Sequence, residues 1–332
     1  MTKIVKINPD KIEQNKIDEC GAVIKSGGLC AFPTETVYGL GAGIYCEEAL
    51  SNIFIAKGRP QDNPLIVHIA EPDEIYPLVK SVPESAKNLM ENFWGGPLTI
   101  ILEKSKKISN KISAGLNTVA IRLPSHPVAC ALIKSAGCPI AAPSANLSGK
   151  PSPTVAKHVI EDLSGRVDMI IDGGNSFYGL ESTVLDLTVD VPTVLRPGAV
   201  TAEQIESVLG CVSFSNASDA PKSPGMKYKH YAPIAPMYIV DCENAAEIIN
   251  KNCDDKTGVL CYKCDKTKFK TENILSAGED IYQYAANYFY NLRRFDEMSV
   301  DKIYAIPPEK DGMGQAVWNR LLKSAGGNVI CG

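Results

Sequence analysis

Short apolar runs alternate with amphipathic stretches along the first two-thirds of the chain. The β-rich runs occupy residues 29–32, 65–69, 98–102, 119–123 and 167–171. Apolar residues at helical spacing occupy 12–25, 47–57, 85–92 and 127–135. Such alternation predicts an α/β domain. Two further runs, 181–187 and 193–195, follow each other too closely for a crossover helix. The sheet is therefore expected to be mixed rather than purely parallel.

The same pattern predicts where this domain ends and a second one begins. Thr201 stands three residues before Gln204, which is the spacing of a capping box that opens a helix running to about Leu209. The alternation then stops, and Ser, Asn, Pro, Lys and Gly dominate residues 213–236. A second series follows, with strands predicted at 237–240, 257–262, 273–275 and 302–306 and helices at 245–250, 281–295 and 314–325. We therefore predict domains at 1–210 and 237–332, joined by a linker at 211–236.

Composition excludes several classes of protein. The 332 residues are 45% hydrophobic and 22% charged, with a net charge of −4, which is typical of a globular chain. This balance argues against strong non-specific electrostatic binding to nucleic acid or to an anionic membrane. It does not exclude a local basic cleft. No apolar stretch approaches the roughly 18 residues of a membrane helix. Because the first residues also lack the apolar core of a secretion signal, a cytoplasmic location is expected.

The eleven cysteines are an odd number and lie scattered through the chain. In a cytosolic protein, they are interpreted as reduced and mostly buried thiols. Cys261 and Cys264 form a Cys-x-x-Cys pair, but no second pair or Cys/His couple follows at a zinc-binding distance. We therefore expect two ordinary thiols near the end of a strand rather than a metal or redox centre.

Common catalytic motifs are missing or incomplete. The glycines of segment 39–43 lack the last glycine of a dinucleotide fingerprint, and segment 144–151 lacks the first glycine and the Ser/Thr of a P-loop. There is no Gly-x-Ser-x-Gly elbow, and the four histidines are too dispersed for a triad or a metal cluster to be proposed from spacing.

Cations and hydroxyls instead gather at the predicted strand ends. Segment 33–41 (PTETVYGLG) follows a strand directly and is either a ligand loop or a capped strand-to-helix turn. Lys57 and Arg59 lie on a loop where they either converge on a phosphate chain or simply end a helix. Arg122 stands inside an apolar strand, where a buried cation requires a carboxylate or a ligand anion. Together with Ser144, Asn146 and Arg196 in similar places, these residues predict a cleft for phosphate and a small polar co-substrate.

In these segments the chain resembles the threonylcarbamoyl-adenylate synthase family, whose catalytic part is called the YrdC-like domain. The motifs that carry the resemblance are, in order, PTETVYGLG at 33–41, KGR at 57–59, NPLIVH at 63–68, GGPLT at 95–99, RLP at 122–124, PSAN at 143–146, EST at 181–183 and LRPG at 195–198. The resemblance covers residues 10–210. The linker and the trailing domain resemble the longer branch of the family, in which a small Rossmann-like β/α domain follows a YrdC-like domain with a mixed, twisted sheet.

The resemblance implies a nucleotidyltransferase that makes threonylcarbamoyl-AMP and pyrophosphate from L-threonine, bicarbonate (or carbon dioxide) and ATP. A downstream transferase system would then move the threonylcarbamoyl group to adenosine 37 of certain tRNAs. Carried over residue by residue, the L-threonine ligands are expected to be Thr36, His68, Arg122 and Ser182. The ATP ligands are expected to be Lys57, Arg59, Asn63, Thr118, Ser144, Asn146, Ser152, Arg196 and Tyr231, with Lys57 and Arg59 also catalytic.

Further expectations concern the metal ion, the linker and nucleic acid. Mg²⁺ would arrive on the triphosphate and be held largely by phosphate and water, with no metal site of the protein's own. Segment 223–233, with its lysines and tyrosines, is interpreted as a lid over the nucleotide. Two alternatives remain open, a double-stranded RNA-binding module and another carbamoyl- or acyl-adenylate enzyme on the same fold. The net charge argues for weak or no direct binding of nucleic acid.

Overall fold

The computed structural model describes residues 1–215 and 231–331, and these fall into two compact units. The first unit contains residues 1–148, 153–177 and the chain from Glu181 to the end of the first described range. The second unit contains the chain from Tyr231 onward and two short earlier segments, 149–152 and 178–180. The sequence pattern predicts two continuous domains and holds no sign of these two segments.

The first unit is built on one mixed sheet of eleven strands. The strands are β1 (Lys3–Lys6), β2 (Cys30–Phe32), β3 (Gly39–Gly43), β4 (Ile66–His68), β5 (Leu98–Glu103), β6 (Thr118–Arg122), β7 (Ile140–Ala142), β8 (Met169–Asp172), β9 (Thr183–Asp186), β10 (Thr193–Arg196) and β11 (Ser213–Phe214). Their order across the sheet is β1-β8-β2-β3-β7-β4-β6-β5-β9-β10-β11. Strands β9 and β10 pair antiparallel, whereas β4 and β6 pair parallel. The predicted mixed sheet is confirmed.

Helices cover the two faces of this sheet unequally. They are α1 (Gln14–Lys25), α2 (Glu47–Lys57), α3 (Glu84–Phe93), α4 (Asn110–Ser113), α5 (Pro127–Ala136), α6 (Ala156–Leu163) and α7 (Ala202–Leu209). Helices α2, α3, α6 and α7 share one large apolar core with residues of the central strands. Helices α1 and α5 form a second core with β2, β7 and β8. The predicted capping box at Thr201 and Gln204 opens α7.

Strand β3 differs from the interpretation of segment 33–41 as a strand-to-helix turn. The chain instead turns back on itself, and β3 pairs antiparallel with both β2 and β7. Glycine is a poor strand former, so the pattern gives no strand signal here. Glycine is required where the neighbouring strands leave no room for a side chain, as they do at Gly41. A Cβ on Gly41 would lie 2.7 Å from Cγ2 of Ile140 and 2.8 Å from Cε1 of Phe32.

The second unit contains a parallel sheet of five strands. They are β12 (Met237–Val240), β13 (Thr257–Cys261), β14 (Ile274–Ser276), β15 (Lys302–Ala305) and β16 (Val329–Ile330), in the order β14-β13-β15-β12-β16. Its helices are α8 (Ala245–Lys251), α9 (Ile281–Met298) and α10 (Gly312–Ser324). The expected Rossmann-like β/α architecture is confirmed. Most of the segment interpreted as a lid, residues 223–230, lies outside the described residues. In the described part of the chain, helices are too short or too polar to span a bilayer.

Candidate active site

Strand register brings two of the expected threonine ligands, His68 and Arg122, together on one face of the first sheet. His68 on β4 is the register partner of Arg122 on β6, and Arg122 is also the partner of Thr99 on β5. Because side chains alternate along a strand, Thr118 points to the same face as Arg122. A small apolar cluster of strand residues lies between the level of Arg122 and the level of Thr118. It consists of Ile66, Ile101, Ala120, Val184 and Leu195.

Arg122 is the centre of a buried polar cluster. It is 3% exposed, and it donates from Nη1 to Oγ1 of Thr36 at 2.8 Å and from Nη2 to Oε1 of Glu35 at 2.5 Å. The β2–β3 turn holds these partners in place, since Oγ1 of Thr34 accepts from the backbone N–H groups of Thr36 and Val37. Oε2 of Glu35 and Nε of Arg122 are buried without a hydrogen-bond partner. The cluster therefore retains one acceptor and one donor for a ligand.

His68 is the neutral member of the same cluster. Its ring stands edge-on to Phe32, with centroids 6.0 Å apart, and Nδ1 lies 3.1 Å from the carbonyl oxygen of Ile66. Burial, aided by the nearby positive charge of Arg122, lowers the pKa of His68 from 6.5 to about 3. The imidazole is therefore uncharged at neutral pH and can take part in hydrogen bonds without adding charge.

Ser182 connects this cluster to Arg196. Its hydroxyl lies 2.7 Å from Oγ1 of Thr99 and accepts from Nη2 of Arg196 at 3.0 Å. Nε of Arg196 also donates to the backbone carbonyl of Ser182, at 3.0 Å. Thr99 is in turn the register partner of Arg122. A continuous polar row therefore crosses β4, β6, β5, β9 and β10 at this level of the sheet.

Lys57, Ser144 and Asn146 form a second group, at the end of α2 and the loop after β7. Lys57 is 3% exposed, and its ammonium donates to the backbone carbonyls of Ser144 and Asn146, the latter at 2.6 Å. Oγ of Ser144 donates to Oδ1 of Asn146 at 2.5 Å. In this arrangement Lys57 stabilises the conformation of the loop. To contact a phosphate, its ammonium would donate to a phosphate oxygen in place of one of these two carbonyl oxygens.

Arg59 and Asn63 lie on the loop between α2 and β4. Gly58 ends α2 in the left-handed conformation, with φ 59°. Beyond it, Nη2 of Arg59 donates to the backbone carbonyl of Asn63 at 3.3 Å. The Asn63 side chain is fully buried, and neither its Nδ2 nor its Oδ1 has a hydrogen-bond partner. An unsatisfied buried amide costs about 1–3 kcal/mol per group, which makes the Asn63 amide a candidate partner for a ligand.

Three expected ATP ligands lie apart from these groups. Thr118 begins β6, about 13 Å from Arg122 at roughly 3.3 Å per residue. This places it at the same end of the parallel pair β4/β6 as the Asn63 loop. Ser152 is buried and belongs to the second unit. Tyr231 also belongs to the second unit, where its ring packs on Phe289 with centroids 5.1 Å apart.

Sequence reasoning missed two members of the site, Glu35 and Thr99. Both lie inside motifs that carry the family resemblance, PTETVYGLG and GGPLT, but nothing local shows that Glu35 pairs with Arg122 or that Thr99 contacts Ser182. Cys261, at the end of β13, is buried, and Cys264 in the following turn is exposed. The described residues contain no group of three His, Cys, Asp or Glu side chains able to hold a metal ion.

The structure therefore defines a mixed α/β protein with buried cations and hydroxyls gathered on one face of its large sheet, followed by a small parallel β/α unit. The family model described as "Telomere recombination" matches residues 22–198, and the model of the threonylcarbamoyl-AMP synthase C-terminal domain matches residues 200–326. The chain belongs to the threonylcarbamoyl-AMP synthase family.

Its similarity to characterised relatives extends over the whole chain. It is 47% identical to the threonylcarbamoyl-AMP synthase of Bacillus subtilis, covering 97% of this chain and 96% of that protein. It is 44% identical to the enzyme of Pyrococcus abyssi, covering 99% of both chains. The crystal structure of P. abyssi Sua5 complexed with L-threonine matches with a TM-score of 0.95 and 43% identity, covering 100% of both chains.

Proposed function

We propose that this enzyme is a nucleotidyltransferase that joins L-threonine, bicarbonate and ATP to give threonylcarbamoyl-AMP and pyrophosphate. The protonated amino group of threonine condenses with bicarbonate to a carbamate, releasing water and a proton. A carbamate oxygen then attacks the α-phosphorus of ATP, the bond from that phosphorus to the bridging oxygen breaks, and pyrophosphate leaves. No covalent intermediate with the protein is needed, so catalysis consists of alignment and charge neutralisation.

The observation that carries the proposal is the buried cluster around Arg122. Its guanidinium offers charge-assisted hydrogen bonds to the threonine carboxylate, and the free oxygen of Glu35 offers an acceptor for the amino group. Thr36, His68 and Ser182 complete the pocket with neutral polar groups. A crystal structure of the P. abyssi relative is described as complexed with L-threonine, which supports threonine as the amino-acid substrate.

The second group of residues suits the nucleotide. Lys57, Arg59 and Arg196 supply positive charge, and Asn63, Ser144 and Asn146 supply hydrogen bonds. We assign Thr118, Ser152 and Tyr231 to the same ligand on the resemblance alone. Mg²⁺ enters with ATP as part of the substrate. We expect phosphate oxygens and water to hold this ion.

The proposal is tested by the dependence of pyrophosphate release on each substrate. Release is expected only when L-threonine and bicarbonate are both present with ATP, and carbamoyl phosphate should not replace bicarbonate. With ¹³C-bicarbonate, mass spectrometry should find one labelled carbon in the adenylate product. Unlabelled product, or release without threonine, would refute the proposed reaction.

Threonylcarbamoyl-AMP contains a reactive mixed anhydride, so its threonylcarbamoyl group requires an acceptor. We propose that a separate threonylcarbamoyl transferase system consumes it and modifies tRNA, and that both steps occur in the cytoplasm. Purified enzyme is then expected to release adenylate without tRNA, and tRNA alone should leave the rate unchanged. A filter-binding assay at low and high salt measures any direct contact with RNA.

A further inference from the structure

The proposed reaction releases one proton, and an acceptor for it has to lie beside the amino group of L-threonine. The ammonium nitrogen has no lone pair, so it must lose this proton before it can attack the carbon of bicarbonate. In a buried site, a side chain placed next to the nitrogen performs such a transfer more effectively than bulk water does. The group to look for is therefore a buried acceptor with an unused lone pair.

Glu35 has such an acceptor in the cluster around Arg122. Its side chain is 6% exposed, and Oε1 accepts from Nη2 of Arg122 at 2.5 Å. Oε2 of Glu35 and Nε of Arg122 are both buried without a hydrogen-bond partner. An α-amino acid carries an ammonium donor and a carboxylate acceptor on one carbon atom. The two unused atoms of this ion pair are the acceptor and the donor that such a molecule requires.

The β2–β3 turn holds the Glu35 carboxylate in a fixed position. Thr36, the next residue, accepts from Nη1 of Arg122 at 2.8 Å, so one guanidinium bonds to two successive residues of the turn. The hydroxyl of Thr34 donates to the backbone carbonyl of Val37 at 2.6 Å and closes the turn. The carboxylate is therefore oriented before the substrate arrives, which removes a cost of reorganisation from the reaction.

The titratable groups that face Glu35 from other elements are a charged guanidinium and two neutral side chains. Arg122 on β6 supplies the positive charge. Burial lowers the pKa of His126, which precedes α5, against a smaller opposite effect of the Glu35 charge. Burial raises the pKa of the Cys130 thiol on α5 to about 11, and the Glu35 charge adds to this effect. Because His126 and Cys130 are both neutral above pH 7, neither changes its charge when Glu35 takes up a proton.

We propose that Glu35 is the catalytic base of the carbamate-forming step. Its Oε2 takes a proton from the threonine ammonium group, which becomes a neutral amine. The nitrogen then forms a bond to the carbon of bicarbonate, and the bond from that carbon to the hydroxyl oxygen breaks. The hydroxyl leaves as water with a second hydrogen of the amine, and the carbamate keeps the negative charge of bicarbonate. Glu35 returns its proton to solvent before the next turnover.

The substrate itself helps Glu35 to accept the proton. In the free protein the guanidinium of Arg122 is paired with one carboxylate. When the carboxylate of L-threonine also binds this guanidinium, two negative charges share one positive charge, and such an arrangement favours the uptake of a proton. The inference rests on the proposed function and adds a proton transfer to the alignment and charge neutralisation already assigned to the site.

The first test measures both directions of the reaction with Glu35→Gln in the full-length enzyme. Pyrophosphate release from L-threonine, bicarbonate and ATP needs the base and should fall at least about 100-fold at pH 7. Synthesis of ATP from threonylcarbamoyl-AMP and pyrophosphate does not need it and should change less than about threefold. Glu103→Gln is the control, since Glu103 makes an exposed ion pair with Lys80, and it should change neither rate.

The second test is the dependence of the forward rate on pH. While most free L-threonine is protonated, its neutral fraction rises about tenfold per pH unit. Glu35→Gln can use only this fraction, so its kcat/KM for L-threonine should rise about tenfold between pH 7 and 8. The wild type and Glu35→Asp, which keeps a carboxylate, should change less than about threefold over the same range.

Thermal melting establishes that each variant is folded in the assay. If Glu35→Gln slows both directions equally, or gains no activity at pH 8, Glu35 has a structural role and the inference is wrong. If Glu35→Gln does not fold, Glu35→Asp decides. Its displaced carboxylate should slow the forward direction at least about tenfold and the reverse direction less than about threefold, and equal effects would overturn the inference.

The wild type separates this inference from the proposed reaction. Wild-type enzyme that releases no pyrophosphate with all three substrates would overturn the proposed reaction and the base with it. An active wild type together with a fully active Glu35→Gln variant would overturn the base alone.

Discussion

Two ion pairs of the first unit differ strongly in how far their charged side chains are exposed to water. The side chains of Arg122 and Glu35 are 4% and 6% exposed, whereas those of the ion pair between Lys80 and Glu103 are 60% and 57% exposed. Desolvation makes a buried charge costly once its partner is removed, while water screens an exposed one. Breaking the buried ion pair is therefore expected to change the free energy of unfolding more than breaking the exposed one.

Replacing Glu35 by alanine leaves the Arg122 guanidinium buried without its counter-charge. We expect Glu35→Ala to lower the free energy of unfolding by about 3–5 kcal/mol, measured by urea denaturation. Glu103→Ala serves as the control and should cost less than about 1 kcal/mol. Equal effects of the two substitutions would show that Glu35 does not balance the charge of Arg122.

His68 makes the stability of the first unit depend on pH. Burial lowers the pKa of His68 from 6.5 to about 3, so between these values the unfolded chain takes up a proton that the folded protein does not. Stability is therefore lost as the pH falls from 6.5, by up to about 1.4 kcal/mol per pH unit. Between pH 6.5 and 4.5 the wild type should lose about 2.3 kcal/mol more than His68→Gln, compared by urea denaturation at both values. Identical losses would contradict the low pKa.

At the scale of elements, β3 shows how a strand of poor propensity is stabilised by its neighbours. It lies between β2 and β7, and Gly41 has no room for a side chain. Gly41→Ala should force these strands apart and lower the free energy of unfolding by about 1–3 kcal/mol. Gly43→Ala on the same strand is the milder control, because its Cβ would come no closer than 3.2 Å, to Sγ of Cys138. Equal effects at the two positions would exclude crowding as the reason for glycine.

At the scale of the whole molecule, the proposed threonine pocket is assembled from residues far apart in sequence. Thr36 comes from the β2–β3 turn, His68 from β4, Arg122 from β6 and Ser182 from the residue before β9. A pocket that hydrogen-bonds the substrate hydroxyl leaves its own polar groups unpaired when the hydroxyl is missing. Selectivity is therefore a property of the assembled site.

Valine should accordingly be rejected far more strongly than serine. Serine lacks one methyl group, which costs about 0.8 kcal/mol or roughly fourfold in kcat/KM. Valine keeps the shape but loses the hydroxyl, and should fall by about 10⁴-fold. Pyrophosphate release with each amino acid measures both ratios, and similar rates for serine and valine would rule out a hydroxyl-reading pocket.

Local patterns in the sequence are sufficient to predict most elements of this fold. The predicted helix at 47–57 and strand at 237–240 have the bounds of α2 and β12, and the other assigned helices and strands agree to within a few residues. Burial of one face leaves a local period of 2 or 3.6 residues, which is visible without knowledge of the packing partner. The site motifs could also be located, because each places polar groups where an apolar run ends.

Features that depend on partners distant in the chain became visible only in the folded molecule. Strand β3 exists through pairing rather than propensity, and the pairing of Glu35 with Arg122 requires the β2–β3 turn to reach β6. Segments 149–152 and 178–180 belong to the second unit without any shift in composition. The physical reason is the same in each case. Register, close backbone approach and buried charge pairing are energies between separate segments, and no local pattern records them.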